Sequence, residues 1–279
     1  MTAASGTHSE PIAVAAVQMT SAANVAVNLA SASTLLEQAA RQGARVAVLP
    51  ENFSFMGRRD ADKREIAERD GTGPVQDFLS RRARELGLWI VAGTTPISEQ
   101  PGAPVAGACL VYDERGERVA RYDKMHLYDV AIPGRDEKYR ESANVVAGSR
   151  MQLVPTPAGL LGLSVCYDMR FPELYRPMSA AGADWFTIPS AFTVPTGRAH
   201  WESLLRARAI ENLSFVVAAA QWGRHESGRE TYGDSLIIDF WGTVLARLPS
   251  GVGVIVASLD LAAQHAARQE FPALTHRVM

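Results

Sequence analysis

Cys166 stands in the segment LGLSVCYDMRFPE, residues 161–173, where an apolar run that reads as a strand gives way to Phe171-Pro172-Glu173. That tripeptide is suited to open a helix, because proline is favoured in a helix's first turn. A thiol on such a corner is exposed on one side and has backbone N–H groups nearby for an oxyanion, the needs of acyl transfer. The plain structural alternative is a small buried hydrophobe, which is how Cys109, mid-strand in GACLVY, is read. A thiol with an ordinary pKa of about 8.5 is mostly protonated at neutral pH, so a nucleophilic Cys166 requires a base or a cation beside it. Glu51 directly follows RVAVLP, so its carboxylate leaves a strand at the C-terminal edge; Lys124 closes RVARYDK, also at a strand end. Taken singly, Glu51 could be a cap or a solvated loop charge, and Lys124 a surface lysine.

Other chemistries find less support. The six histidines, His8, His126, His200, His225, His265 and His276, form no HExxH or other compact ligand pattern, and no glycine-rich phosphate loop is present. A papain-like Cys–His pair stays open, although its local CGSCW signature is absent. Charges nearly cancel, with 28 Lys+Arg against 30 Asp+Glu and no long run of either sign, so neither nucleic acid nor a membrane surface is indicated as a partner. The longest apolar stretch, around residues 215–220, is far too short to span a bilayer. Two cysteines could make one disulfide, but nothing points to secretion, and free thiols in a reducing cytoplasm are the better reading.

These residues need a scaffold. Residues 1–10 read as a loose tail and 11–279 as one domain, since no linker or repeat divides a chain that is 47% hydrophobic. Ile12–Gln18 is a buried strand, followed by a helix capped by Asn24, striped by Val27, Leu35 and Leu36 and ended at Gly43. Residues 45–50 and 88–92 are further strands, with a helix over 73–86 between them. Strands at 108–112 and 118–122 flank the turn Asp113-Glu114-Arg115-Gly116, and strands at 152–155 and 161–166 bracket Pro157-Ala158-Gly159. Helices are expected over 172–182 and 199–213, and strands at 185–189, 215–222, 234–239, 243–247 and 253–258. So many strands, apolar on both sides, suggest two sheets packed face to face with helices outside; composition alone leaves a single doubly wound sheet open.

PENFSF around Glu51, YDKMHLYD around Lys124 and VCYDMRFPE around Cys166, in that order, resemble the three signatures of the nitrilase, or carbon–nitrogen hydrolase, superfamily. The resemblance runs from Ala13 to about Arg277 and implies an α/β fold, a four-layer α-β-β-α sandwich. It implies Glu51 as general base, Lys124 as cationic stabiliser and Cys166 as nucleophile, with Glu141 in YRESANVVAG resembling a further family glutamate. Lys124 and the backbone N–H of Tyr167 would hold the oxyanion, and no metal or organic cofactor is needed. Self-association into a homodimer or larger homo-oligomer is also implied.

Residues 189–212 and 216–227 resemble the Nit branch, which holds amidases of deaminated glutathione and ω-amidases, and RARAIE and GRHE lean to the former. The implied substrate is a small amide carrying carboxylates. The expected contacts are the loop from Phe192 to Thr196 and a cation, for which Arg170 is the candidate; Arg170 could equally be a structural ion-pair partner. Asp234 stands where the branch commonly has His, and DFWG at 239–242 replaces the commoner DPWG. A non-catalytic binding protein on the same fold is the competing reading, and the intact Glu–Lys–Cys set argues against it.

Overall fold

The computed structural model describes residues 10–134 and 136–278; apart from Glu10, the tail expected over residues 1–10 lies outside them. Two sheets carry the site. The first runs in the order Gly253–Leu259, Ile12–Gln18, Val46–Leu49, Trp89–Ala92, Val105–Tyr112, Thr95–Ile97, with Arg118–Asp123 and Val145–Val146 also paired to Val105–Tyr112. The second runs Leu153–Thr156, Gly159–Leu163, Trp185–Thr187, Phe215–Ala218, Ser235–Ile238, Val244–Leu248. Parallel pairing of Ile12–Gln18, Val46–Leu49 and Trp89–Ala92 in one sheet, and of Gly159–Leu163, Trp185–Thr187 and Phe215–Ala218 in the other, points the C-terminal ends of successive strands the same way.

The helices are α1 (Val25–Arg41), α2 (Pro74–Leu86), α3 (Pro172–Ala180), α4 (Val194–Asn212) and α5 (Leu261–Glu270). Strand side chains alternate between faces. Val14, Ala16, Val46 and Val48 therefore meet Leu161, Leu163 and Trp185 between the sheets. Their neighbours Ala15, Val17, Ala47 and Leu49 meet Leu35 and Leu36 of α1 and Phe78 and Leu79 of α2. Tyr175 and Met178 of α3 and Trp201 and Leu205 of α4 join the core from the other side of the second sheet. The four-layer α-β-β-α sandwich is thus borne out. Both faces of the central strands are dry, which explains runs such as RVAVLP: each buried Val or Leu is worth roughly 1.5–3 kcal/mol over exposure.

Several boundaries differ from the sequence reading, each for a local reason. The strand before Cys166 stops at Leu163, and the next residue, Ser164, directs its hydroxyl to Thr187 O at 2.8 Å and Tyr175 Oη at 2.7 Å. Helix α4 begins at Val194 with Pro195 in its first turn, so Thr196 lies on the helix and not in the loop before it. The run 215–222 breaks after Ala218, and Trp222–Arg224 pairs with Glu230–Tyr232 as a separate hairpin. Asn24 caps α1 as expected, accepting from Val27 N–H at 3.1 Å.

Candidate active site

Three chain segments end side by side. Glu51 lies two residues past Val46–Leu49, Lys124 directly past Arg118–Asp123, and Cys166 opens a short 3₁₀ turn, Cys166–Arg170, after Gly159–Leu163. All three are nearly sealed from solvent, at 5%, 2% and 7% exposure. Charges buried this deeply require partners. Lys124 Nζ lies 2.8 Å from Glu51 Oε1 and 3.0 and 2.8 Å from the two carboxylate oxygens of Glu141. Glu51 Oε2 accepts the N–H of Ala191 at 2.9 Å, and Glu141 Oε2 that of Tyr128 at 2.7 Å. The Cys166 thiol lies close enough to the Glu51 carboxylate for each to shift the other's proton affinity.

The electrostatics fix the resting protonation. Burial works to raise Glu51, yet the Lys124 ammonium outweighs it and holds the carboxyl below its ordinary value. Burial works to lower Lys124, and Glu141 and Glu51 reverse this, leaving it well above the usual lysine value. Cys166 is pushed far up, first by burial and then by the Glu51 charge, with Lys124 opposing. At rest the site therefore holds an ion pair beside a neutral thiol. Cys109 is fully buried and its thiol is pushed up by burial; both cysteines are free.

Cys166 has φ 50°, a left-handed conformation costing a non-glycine residue about 1–2 kcal/mol, and its own N–H is taken by Pro189 O at 2.9 Å. The first turn of a short helix leaves its leading N–H groups without helical partners, and the N–H of Tyr167 is the next in this turn after that of Cys166.

The thiol opens on a pocket of about 590 Å³, including its solvent-open mouth, lined by Glu51, Lys124, Glu141, Cys166, Tyr167, Phe192 and Thr196 together. Aromatic rings build one wall, with Tyr128 packed 5.2 Å from Tyr139 and 5.1 Å from Tyr167 between centroids. Arg170 is not part of the lining. Its guanidinium lies 3.3 Å from His200 Nδ1 and over the rings of Tyr167 and Phe192, at 5.7 and 5.4 Å, so it braces the wall from outside. The cations that do line the pocket besides Lys124 are Lys63 and Arg229, both missed by the sequence reading. Arg229 follows the GRHES segment closely, but nothing in its own neighbours marks it. Asp234 also lies outside this pocket: it pairs with Arg247 at 2.7 Å, a structural role for the departure from the commoner histidine.

The carbon–nitrogen hydrolase family pattern matches residues 13–269, a span that includes Glu51, Lys124 and Cys166. The chain belongs to this family. It is a carbon–nitrogen hydrolase of the nitrilase superfamily, acting on amide bonds other than peptide bonds. A deaminated glutathione amidase of Synechocystis sp. is 42% identical over 273 residues, covering 96% of this chain and 99% of its own length. A human deaminated glutathione amidase is also 42% identical, covering 95% of this chain and 81% of its own. Among solved structures, the C. elegans NitFhit protein superposes with a TM-score of 0.89 at 38% identity; 96% of this hydrolase matches 65% of that longer chain. No helix among the described residues is long and apolar enough to cross a membrane.

Proposed function

We propose that this hydrolase cleaves the amide bond of deaminated glutathione to 2-oxoglutarate and cysteinylglycine through a thioester on Cys166. The observation that carries the chemistry is Lys124 bridging Glu51 and Glu141 beside a neutral thiol. Glu51 takes the thiol proton as sulfur attacks the amide carbonyl, and Lys124 and the Tyr167 N–H hold the oxyanion. Removing one such donor typically costs about 10²–10³ in rate. The C–N bond breaks as protonated Glu51 returns its proton to the departing nitrogen. A water deprotonated by Glu51, which Glu141 helps to orient through Lys124, then opens the thioester and the thiol is restored.

The substrate half rests on the relatives' shared activity and on charge. Deaminated glutathione carries a carboxylate at each end, and Lys63 and Arg229 make no salt bridge among the described residues. Arg229 donates to Ala191 O at 2.6 Å, lies over the Tyr139 ring at 5.1 Å and keeps a buried Nε without a partner. It takes over the anchoring role first assigned to Arg170; a guanidinium fork suits a carboxylate better than an ammonium does. Phe192 and Thr196 complete the substrate wall. A free nucleophilic thiol fits a reducing cytoplasm, and light scattering would read the homo-oligomer that the family resemblance implies.

Side-by-side kinetics test the assignment. Deaminated glutathione should exceed α-ketoglutaramate in kcat/KM by at least roughly tenfold, equivalent to ~1.4 kcal/mol. A value for α-ketoglutaramate equal or higher makes the enzyme an ω-amidase and leaves the thiol mechanism standing.

A further inference from the structure

Asp168 lies two residues after the nucleophile and is completely buried. Its carboxylate gathers four polar groups. Oδ2 accepts the N–H of Val165 at 2.8 Å and the hydroxyl of Tyr122 at 2.7 Å. Oδ1 accepts the N–H of His126 at 3.0 Å and lies 2.7 Å from the Nδ1 of the same ring. The identities of these partners matter more than their number. Tyr122 and His126 stand two residues before and two residues after Lys124, and Val165 directly precedes Cys166. Tyr122 belongs to the first sheet, whereas Asp168 belongs to the corner of the second. One carboxylate therefore ties both flanks of the cation to the corner that carries the thiol. The His126 ring is stacked on Phe171 at 3.8 Å and 8°, which fixes this side of the link as well. The strained φ of 50° at Cys166 makes such a brace necessary, since the corner would otherwise relax.

We propose that Asp168 is a positioning residue for the hydrolysis, a clip between the sheets that sets Lys124 against Cys166. It touches neither substrate nor reacting atoms. The proposal rests on the roles given above to Cys166 and Lys124. Losing the clip lets the two segments drift, and a displacement of about 1 Å in a preorganised site can cost on the order of 10²-fold in rate.

Asp168→Asn keeps the shape but turns one acceptor into a donor facing the Val165 N–H and Tyr122. Its kcat per active site, counted by titrating Cys166, should fall about 100-fold while KM stays within roughly threefold. The pH dependence of Cys166 alkylation by iodoacetamide should move upward, because the Lys124 charge no longer opposes the burial of the thiol. Tyr122→Phe removes one bond from the clip and should lose about tenfold in kcat. Combined with Asp168→Asn it should add little, because both break one link. If Asp168→Asn fails to fold, Tyr122→Phe and His126→Gln carry the same two readouts. Unchanged kcat per titrated site and an unchanged alkylation profile, with only a lower melting temperature, would overturn the proposal and leave Asp168 purely structural. Full activity in Cys166→Ala would instead sink the thiol mechanism itself, so the two failures are distinct.

Discussion

Lys124→Met keeps the length of the side chain and removes the charge that Glu51 and Glu141 share at 2.8 Å. In the native enzyme, burial would raise Glu51, but Lys124 holds it below its ordinary 4.5. A lowered carboxyl stabilises the fold above that value, and the contribution is lost as pH falls through the folded-state pKa. In the variant burial, the largest influence, is opposed by the smaller pull of Lys63 and by the Ala191 N–H, so the folded-state pKa of Glu51 rises above the unfolded one and the sign reverses. The variant is then least handicapped in acid and loses stability as pH rises through the new, raised value. Breaking a buried pair by deleting one partner costs about 3–5 kcal/mol. At about 2–4 °C per kcal/mol for a chain of this size class, the melting temperature at neutral pH should drop by roughly 6–20 °C. Scanning calorimetry of both proteins at about pH 5, 6.5 and 8 reads the effect, with the gap widest at the highest pH. A gap independent of pH, or widest in acid, would refute the assignment of Lys124 as the counter-charge that keeps Glu51 ionised.

Glu51→Gln should lose about 10³-fold in kcat with little change in KM, because thiol and water activation both depend on it; a raised KM alone would make it a binding residue. Iodoacetamide should label Cys166 and spare Cys109, whose exposure is 0%; equal labelling would contradict the burial described here. Arg229→Gln should raise KM for deaminated glutathione about tenfold or more with a smaller effect on kcat, measured by initial rates; unchanged KM would remove Arg229 as the anchor. Gly93 has φ 44°, and an added Cβ would meet Pro50 O at 1.9 Å, just before Glu51. Gly93→Ala should therefore destabilise by roughly 2–4 kcal/mol in denaturant melts, and a neutral result would show that the loop can move aside.

Much of the architecture was legible because the periodicity is unambiguous. Strands buried on both faces read as continuous apolar runs, and Asn24 announces its helix. What stayed hidden depends on contacts distant in sequence. Nothing near Ser164 says that its hydroxyl will meet Thr187 and Tyr175 just where the strand ends. Nothing near Ala218 says that the run will break and send Trp222–Arg224 into a hairpin. The same holds in the pocket. Glu51, Lys124, Glu141 and Cys166 sit in recognisable motifs at strand ends, and the fold lines one pocket with all four. Arg170 was a reasonable anchor by its nearness to Cys166, but aromatic stacking and His200 hold it behind the wall. Lys63 and Arg229 reach the pocket from segments distant in sequence from the thiol. Asp168 was visible only as part of a motif; its contacts with Tyr122 and His126 exist only once the two sheets meet.

The central claim is a covalent acyl-enzyme on Cys166. Rapid acid quench of the enzyme mixed with deaminated glutathione, followed by intact-protein and peptide mass spectrometry, measures it directly. The expected result is a 2-oxoglutaryl adduct, formed within the first turnover, on the peptide containing Cys166, and its absence in Cys166→Ala together with all turnover. Turnover that continues in Cys166→Ala, or an adduct on any residue other than Cys166, would contradict the account.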